Sequence, residues 1–362
     1  MLGGTLARYF GRRFLAAAAS VFGAIFLLVV LVDYVEMTRY ASKVPNASAF
    51  LVAQISFFRV PQVTERIIPF ATLSGAMACY LALSRRLELV VARAAGISAW
   101  QFVAPAVVVA LLIGTAATTV YNPLSTSLRE YSKQLEAELF GQRTGPQQVE
   151  AGFWVSQRDV DGQAVINAAS SRNQGAILDG VTVLTFDAGG RFQERIEAKS
   201  AELESGYWRL KDANVYGAGA PPRQHASYLL STTLTPEQVR ESFATPETVS
   251  FWHLRQYIEL AEQAGLAAAG YRLQYHLLLA RPFLLASMVI LAASVSLRFF
   301  RFGGVTRMIL SGVIAGFLLY VLSKVTEDVS RAELMHPAAA AWLPVLVGGL
   351  TGFVALLYLE DG

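Results

Sequence analysis

The sequence predicts a membrane α-helical protein with an inserted all-β domain, in which six transmembrane helices are divided three and three around the insert. Of its 362 residues, 54% are hydrophobic and only 16% are charged, whereas a soluble domain of this length has about a quarter charged residues. Its apolar runs fall into two groups of three, and more than a hundred residues without such a run separate the groups. Most of the apolar surface is therefore expected to face lipid.

The first group of apolar runs begins close to the N-terminus. Residues 14–32 form a run of about nineteen apolar residues, long enough to span roughly 30 Å of hydrocarbon. A signal peptide has a shorter core and a small-residue cleavage site. The sequence around Asp33 offers no such site, so the segment is predicted to remain as a helix. The six predicted spans are 14–35, 61–83 (broken by Pro69), 100–121, 275–297, 308–322 and 338–359.

Arginines in the short loops predict the orientation. One set of loops is rich in arginine, and the opposite set has charges of both signs. By the positive-inside rule, the arginine-rich side is cytoplasmic. Both termini are then cytoplasmic, and the insert lies on the periplasmic side of a bacterial inner membrane. The arginines concerned are Arg8, Arg12, Arg13, Arg85, Arg86, Arg93, Arg298, Arg301 and Arg307.

The insert, residues 141–250, is predicted to be rich in β-strand. Segments 176–186 and 191–199 contain alternating apolar residues, and 187–190 is typical of a turn. Short strands at this spacing suggest a sandwich or barrel. Helical linkers at 124–139 and 252–264 are expected on either side. The predicted domains are an N-terminal transmembrane half at 1–123, a β domain with its linkers at 124–270 and a C-terminal transmembrane half at 271–362.

Missing motifs and the amino-acid composition argue against several functions. The sequence has no GxxxxGK[ST], so a P-loop cannot hydrolyse nucleotide in this chain. It also lacks GxSxG, HExxH and CxxC, and its four histidines lack metal-ligand spacing. We therefore predict no catalytic residue, metal site or cofactor here. The net charge of +3 is too mild for a nucleic-acid binder, and one cysteine, Cys79, allows no internal disulfide.

A short amphipathic helix, residues 85–96, is predicted between the second and third spans. Its apolar residues share one face, and Gly96 is expected to end it as the C′ residue. Two interpretations are open: an interfacial helix that arginines anchor to anionic lipid, or a coupling helix that docks on a cytoplasmic partner. Glu88 favours the second, because an acid does not help anchoring to anionic lipid. The apolar residues are Leu87, Val90, Val91 and Ala94, and the candidate coupling residues are Arg85, Arg86, Glu88 and Arg93.

Charged residues near the outer ends of the spans form a second candidate site. They are either interfacial residues that snorkel or the lining of a cavity for an anionic lipid headgroup. Glu65 and Arg66 lie about one turn inside the second span, where charges prefer a protein-lined cavity to lipid. The cationic candidates for headgroup binding are Arg39, Arg66, Arg129 and Lys133.

The order of these parts resembles the lipopolysaccharide export permease family. The stretches that support the resemblance are 83–91 with Ala95-Gly96, then 208–210, and 316–322, and the likeness covers essentially the whole chain. Within the family, the chain is more similar to the LptG branch than to the sister LptF branch.

The resemblance implies a permease subunit of an ABC transporter. Such a subunit pairs with an LptF-like sister permease, and an LptB-like ATPase dimer, which binds ATP and magnesium, docks on the coupling helices. The outer domain is then a β-jellyroll that continues into a bridge through LptC-like and LptA-like proteins. Closure of the cavity between the permeases moves lipopolysaccharide toward the outer membrane. Glu88 falls on the family's coupling-helix acid, and Arg39, Arg129 and Lys133 fall in or near its basic stretches.

Two positions depart from the family pattern, and a second function stays open. Family members can carry lysine where this chain has Asp33 and Gln62; Arg66, one turn after Gln62, is a candidate to compensate. A mechanotransmission or signalling subunit would have the same outer domain and coupling helix but would move no lipid. A cavity lined by Glu65 and Arg66 would argue against such a subunit. A membrane-anchored periplasmic enzyme is disfavoured, because the sequence has no catalytic constellation.

Overall fold

The computed structural model divides into two compact units. The helical unit comprises Met1–Phe140 and Pro246–Gly362, and the β unit comprises Gly141–Thr245. The predicted β-domain range, 124–270, included two flanking helices that belong to the helical unit in the structure. The residues described are 2–42, 44, 47–140, 153–159, 162–172, 177–187, 191–204, 206–217, 221–232, 246–263, 268–302 and 304–361.

Ten α-helices occur in the described part of the helical unit. A π-helical turn, Ala117–Tyr121, joins the fifth to the sixth, and a 3-10 turn, Pro246–Thr248, precedes the seventh. The helices are α1 Leu2–Ala41, α2 Ala49–Glu65, α3 Ile68–Arg85, α4 Glu88–Ala94, α5 Ala99–Ala116, α6 Asn122–Phe140, α7 Phe251–Gln263, α8 Ala269–Phe302, α9 Val305–Arg331 and α10 Pro337–Asp361.

Several of these helices are long and apolar enough to cross a membrane. Within the described residues, five stretches meet this test individually, and α2 and α3 meet it together, with a bend of 73° between them. A membrane-type helical unit with a separate β unit is therefore confirmed, and the count of six spans stays a prediction. The five stretches are Gly4–Ala41, Ala99–Phe140, Ala269–Leu297, Val305–Arg331 and Pro337–Tyr358.

Pro69 explains why α2 ends where it does. Proline has no N–H, and its ring clashes with the carbonyl four residues earlier, which here belongs to Glu65. The helix stops at Glu65, and α3 begins at Ile68 with Pro69 in its first turn, where a missing N–H costs little. The sequence predicted a single span broken at the proline. The structure instead has two helices with the break at Arg66 and Ile67.

The third predicted span and the linker after it form one continuous helix of 42 residues, Ala99–Phe140. Pro123 removes one N–H from this helix. The chain passes the proline by widening into the π turn, in which the Asn122 N–H bonds to the Ala117 carbonyl. The helix predicted at 124–139 is therefore confirmed as α6, and it continues the preceding helix without a break.

Prolines also organise the contacts between helices. Each proline inside a helix removes the N–H that would bond to the carbonyl four residues earlier. For three of them, a side chain of another element donates to that carbonyl. Each bond joins two elements, and the two donated by threonine are buried, where no water is available to the carbonyl. The bonds are Thr118 hydroxyl to Leu278 carbonyl at 2.9 Å (before Pro282), Thr326 hydroxyl to Ala340 carbonyl at 3.0 Å (before Pro344) and Trp252 indole to Thr119 carbonyl at 3.1 Å (before Pro123).

Thr118→Val is expected to lower the free energy of unfolding by about 1–3 kcal/mol, because valine leaves the buried Leu278 carbonyl without a partner. Thermal unfolding of the purified protein in detergent measures this loss. Thr115→Val is the matched control: its hydroxyl is exposed and bonds only to Leu111 in the same helix. The control should change stability by less than about 0.5 kcal/mol. Equal losses in the two variants would show that the bond between helices adds nothing.

Apolar surface is concentrated on α1 and α9. Only 6% of the most apolar stretch of α1 and 22% of that of α9 are buried, against 56% for α8. In contrast, α8 packs against α3, α5, α9 and α10 and lies at the centre of the unit. The outer faces of α1 and α9 are therefore the surfaces available to lipid or to another membrane protein. They include Leu27, Leu31, Val35, Leu310, Val313 and Phe317.

The β unit is a six-stranded antiparallel sheet in which each strand pairs with the next along the chain. One face carries a buried core that includes Ile166, Leu178, Ile196 and Trp208. The strand-rich insert is confirmed. Closure into a jellyroll stays a prediction, and the tip of the predicted turn at 188–190 lies outside the described residues. The strands are β1 Phe153–Asp159, β2 Gly162–Arg172, β3 Ile177–Phe186, β4 Phe192–Glu204, β5 Tyr207–Gly217 and β6 Arg223–Ser231.

Candidate functional site

The short helix α4 is held between two sharp turns. Leu87, just before it, has a left-handed backbone with φ of 61°, and Gly96, just after it, has φ of 82°. The Gly96 N–H bonds to the Arg93 carbonyl, and the Ile97 N–H bonds to the Ala92 carbonyl, so Gly96 ends the helix as predicted. The helix itself is shorter than the predicted 85–96, because Arg85 is the last residue of α3.

The apolar face of α4 is directed away from the protein. Leu87, Val90 and Val91 are 60%, 40% and 66% exposed, whereas Leu89 and Ala92 are buried. The three candidate coupling arginines, Arg85, Arg86 and Arg93, are also exposed. The helix therefore presents an apolar strip between cationic side chains.

Glu88 is bonded within the chain. Its carboxylate accepts a hydrogen bond of 2.9 Å from the Tyr9 hydroxyl and lies 3.8 Å from the Arg13 guanidinium, which also donates to Tyr9. The glutamate thus joins α4 to α1. Its side chain is 28% exposed, so its predicted contact with an ATPase stays a prediction beside this internal role.

Glu65 lies at the centre of a buried polar group of four residues, here called the Glu65 cluster. The amide of Asn122 and the hydroxyl of Ser125 each donate to its carboxylate at 2.9 Å, and the Arg281 guanidinium donates at 2.5 Å. Glu65 is only 6% exposed. The cluster brings together the end of α2, the start of α6 and the middle of α8.

The Glu65 cluster also reaches the segment that follows the β unit in the chain. The side-chain oxygen of Asn122 accepts a 2.8 Å bond from the backbone N–H of Phe251, the first residue of α7. Nearby, the Tyr121 hydroxyl bonds to the Pro61 carbonyl at 3.0 Å and to the Thr64 hydroxyl at 2.8 Å. One buried network therefore connects the bend between α2 and α3 with α6, α7 and α8.

The structure separates Glu65 from its neighbour Arg66. Arg66 is exposed and pairs with Glu247 in the turn before α7, and Arg331 at the end of α9 pairs with the same carboxylate at 2.6 Å. Gln62 donates to the backbone carbonyl of Glu247 at 3.2 Å. The two neighbours therefore do not share one environment, because Glu65 lies in the protein interior and Arg66 in a surface ion-pair network. Cavity lining by Arg66 stays a prediction.

Arg59 is the centre of a second polar group near the predicted outer boundary. Its guanidinium lies 3.6 Å from Asp33 and 3.9 Å from Glu136, and Arg129 also pairs with Glu136 at 3.1 Å. Arg129 is only 6% exposed. This predicted headgroup residue is thus engaged inside the helical unit, between α2 and α6.

A chain with these apolar helices, the short helix α4 and a β unit can be compared with known proteins. The model of the family described as "Lipopolysaccharide export system permease LptF/LptG" matches residues 8–358. This chain belongs to the LptF/LptG family. It is similar to LptG of Escherichia coli K12, 22% identical over 356 residues that cover 94% of each chain. It is likewise similar to LptG of Haemophilus influenzae, 23% identical over 358 residues and 95% of each chain. The predicted family and the likeness to LptG are confirmed.

Asp33 and Gln62, the two positions where a lysine was considered from the resemblance, both lie close to an arginine. Asp33 lies 3.6 Å from the Arg59 guanidinium. Gln62 contacts Glu247 together with Arg66. Each position therefore has a cation nearby.

The four predicted headgroup residues do not share one environment. Arg39 is exposed at the end of α1 beside the Tyr40 ring, 5.8 Å from its centre. Lys133 is exposed on α6, Arg66 is exposed and ion-paired, and Arg129 is buried. Their role in headgroup binding stays a prediction. Among the described residues, no group of three or more His, Cys, Asp or Glu could hold a metal ion.

Three residues of these polar groups, Arg59, Asn122 and Arg281, were not predicted from the sequence. The sign that points to Arg281 is its place inside a predicted span, because a charge at that depth needs a partner in the protein. Arg59 precedes the predicted second span and resembles an ordinary interfacial arginine. Asn122 follows the third span directly, and only the fold brings it to Glu65.

Proposed function

We propose that this chain is an LptG-type permease subunit of an ABC transporter that extracts lipopolysaccharide from the bacterial inner membrane and passes it to a periplasmic bridge. The observation that carries the proposal is the family match over residues 8–358, which includes both units and α4. The similar proteins of known name are lipopolysaccharide export permeases.

In the proposed topology the bent pair α2 and α3 is the sixth span. The arginine-rich loops and both termini are then cytoplasmic, and the β unit is periplasmic. The chain suits a labelling test, because its single cysteine, Cys79, is buried. Ser227 on β6 and Ala94 on α4 are both exposed and lie on opposite sides of the membrane in this topology.

Ser227→Cys is expected to react with a membrane-impermeant maleimide in intact spheroplasts, because the reagent reaches the periplasmic side. Ala94→Cys should react only after lysis, and the unsubstituted chain should remain unlabelled. Mass shift on a gel measures each outcome. Labelling of Ala94→Cys before lysis, with Ser227→Cys protected, would reverse the orientation.

A separate ATPase is part of the proposal for energetic reasons. Removing lipid chains from a bilayer costs about 0.8 kcal/mol per exposed CH₂, and this sequence has no P-loop. The exposed apolar strip of α4, bordered by Arg85, Arg86 and Arg93, supports docking of an LptB-like ATPase dimer that binds ATP and magnesium. An interfacial role for α4 is less favoured, because Glu88 and Leu89 fix it to the protein.

The remaining proposed partners follow from the family and the exposed surfaces. The apolar faces of α1 and α9 suit an LptF-like sister permease, with lipopolysaccharide held between the two chains. The β unit, proposed as a jellyroll, would continue into LptC-like and LptA-like proteins through added strands.

A mechanotransmission subunit that moves no lipid is the second candidate. One structural observation favours it: the polar residues expected to line a cavity, Glu65 and Arg66, are instead bonded to other residues of the chain. The Glu65 cluster connects the bent pair with α7, an arrangement suited to passing a movement along the chain. Lipid analysis distinguishes the two candidates.

Purification of the chain with its co-expressed partners, followed by mass spectrometry of the bound lipid, tests the function. Lipopolysaccharide is expected in near-stoichiometric amount, and ATP with magnesium should release it. Photocrosslinking from Arg39 and Lys133, which are exposed, should label the same lipid. A complex that contains the ATPase but no lipopolysaccharide, and shows no crosslink, would favour mechanotransmission.

A further inference from the structure

A cavity of about 150 Å³ opens where α3 and α4 meet the end of α8 and the start of α9. Its lining combines apolar side chains with Arg85, Ser84 and two further hydroxyl residues, Tyr80 and Ser296. In the proposed topology this end of the helices lies at the cytoplasmic headgroup layer. The functions assigned above do not use the cavity.

The start of α9 supplies positive potential to this cavity. Gly304 and Val305 line it, and Gly304 is the N-cap of this 27-residue helix, with no side-chain cap. Its φ of 122° is a conformation that other residues rarely adopt. The first N–H groups of a helix lack partners in the helix, and they attract anions. An uncapped helix start thus lies in the wall of the cavity.

Two buried hydroxyls independently indicate a ligand. Tyr80 and Ser296 are 2% and 5% exposed, and neither hydroxyl has a hydrogen-bond partner among the residues that the structure describes. Buried polar groups are normally bonded, and both residues line the cavity. A ligand with hydrogen-bond acceptors in the cavity would supply the missing partner.

The charges around the cavity favour an anion. Arg85 lines it, and Arg307 follows in the first turn of α9. The carbonyl end of α3, which would repel an anion, is covered in part, because Ala82 and Ser84 accept bonds from the N–H groups of Arg86 and Leu87. Two arginines and the start of a long helix therefore lie at this end of the unit.

We infer that this cavity binds the phosphate of an anionic phospholipid from the cytoplasmic leaflet. Free phosphate fits the donors but not the apolar part of the lining, which includes Leu89, Leu297 and Met308. Val305, which lines the cavity, and Ile309, one turn further along α9, are exposed apolar residues that continue outward from it and suit the acyl chains. The choice of leaflet rests on the proposed function, through its topology.

The bound lipid would contact the coupling helix. Leu89, one of the buried residues by which α4 packs on the protein, lines the cavity. A lipid bound in the cavity would therefore contact the buried side of α4, while the exposed apolar strip of α4 faces a partner. Anionic lipid is expected to raise the ATPase activity of the complex above that in zwitterionic lipid.

Native mass spectrometry of the purified complex, titrated with phosphatidylglycerol, tests the site. Wild type should retain one tightly bound lipid. Tyr80→Phe with Ser296→Ala, and separately Arg85→Gln, should weaken its binding about tenfold or more, as expected for lost bonds to a charged group. Arg86→Gln is the matched control, because it removes an equal charge one residue away from the cavity lining. It should change binding less than about twofold.

Three results would overturn the inference: equal retention in all variants, an equal loss in Arg85→Gln and Arg86→Gln, or displacement of the lipid by millimolar inorganic phosphate. The first two results would mean that the lipid binds only by general attraction to the charged surface. The third would mean that the cavity is a site for free phosphate. Co-purified lipopolysaccharide is measured in the same spectra. Failure of the proposed transport function is therefore seen separately from failure of this site.

Discussion

Glu65→Ala is expected to lower the free energy of unfolding by about 3–5 kcal/mol, the usual cost of leaving one member of a buried ion pair without its partner. The substitution leaves the Arg281 guanidinium, whose side chain is only 14% exposed, without its counter-charge. It also leaves the Asn122 amide and the Ser125 hydroxyl without their acceptor. Thermal or denaturant unfolding in detergent measures the loss.

A surface ion pair in the same chain provides the control for Glu65→Ala. Glu247→Ala removes two ion pairs, with Arg66 and Arg331, whose side chains are 71% and 45% exposed. It should cost less than about 1 kcal/mol. Removing both charges, as Glu65→Gln with Arg281→Gln, should restore part of the stability. If Glu65→Ala were no worse than Glu247→Ala, the Glu65 cluster would not be a buried structural contact.

Val91→Asp is expected to abolish co-purification of the ATPase while leaving the fold intact. Val91 is 66% exposed on the apolar strip of α4, so an aspartate there is tolerated in the free chain. In an interface it would bury a charge, which we expect to weaken binding by about 2–4 kcal/mol, as at a central contact. Pull-down of the ATPase by the tagged permease measures the effect, with unfolding temperature as a check on the fold.

Two smaller substitutions define the interface further. Val91→Thr has a similar shape and should bind nearly as well as wild type. Glu88→Ala removes both the internal bond to Tyr9 and any contact with the partner, whereas Tyr9→Phe removes only the internal bond. Loss of the ATPase in Glu88→Ala but not in Tyr9→Phe would assign Glu88 to the interface. Normal binding by Val91→Asp would return α4 to the lipid-anchor interpretation.

The sequence predicted those features that depend on local patterns. Apolar runs located the long apolar helices and alternation located the strands. Gly96 was recognised as a helix end because only the residues around it determine that role. Pro69 was recognised as a break, but its exact effect was not, and the effect of Pro123 was not predicted. At Pro69 the break occurs before the proline, directly after the residue whose carbonyl it blocks. At Pro123 the helix widens and continues.

The polar contacts could not be predicted in the same way. Glu65 and Arg281 are 216 residues apart in sequence, and their pairing requires α2 and α8 to be adjacent. Arg129 was expected at a wet boundary because it follows a span. Its burial results from the continuation of that span into α6, which packs against α2. Arg129 pairs there with Glu136, seven residues further along the same helix. The local periodicity of the sequence predicts neither the pairing of Glu65 with Arg281 nor the packing of α6 against α2.

The proline-linked bonds have a consequence for the evolution of this helical unit. A chain that lost Pro282 would regain the N–H that bonds to the Leu278 carbonyl, and the hydroxyl of Thr118 would become redundant. A chain that acquired a proline there without a donor at position 118 would contain an unsatisfied carbonyl in lipid. The proline at position 282 and the hydroxyl residue at position 118 should therefore co-vary, although they are distant in sequence. The same is expected of Pro344 and Thr326. Among divergent relatives, such compensating exchanges would reveal helix neighbours without a structure.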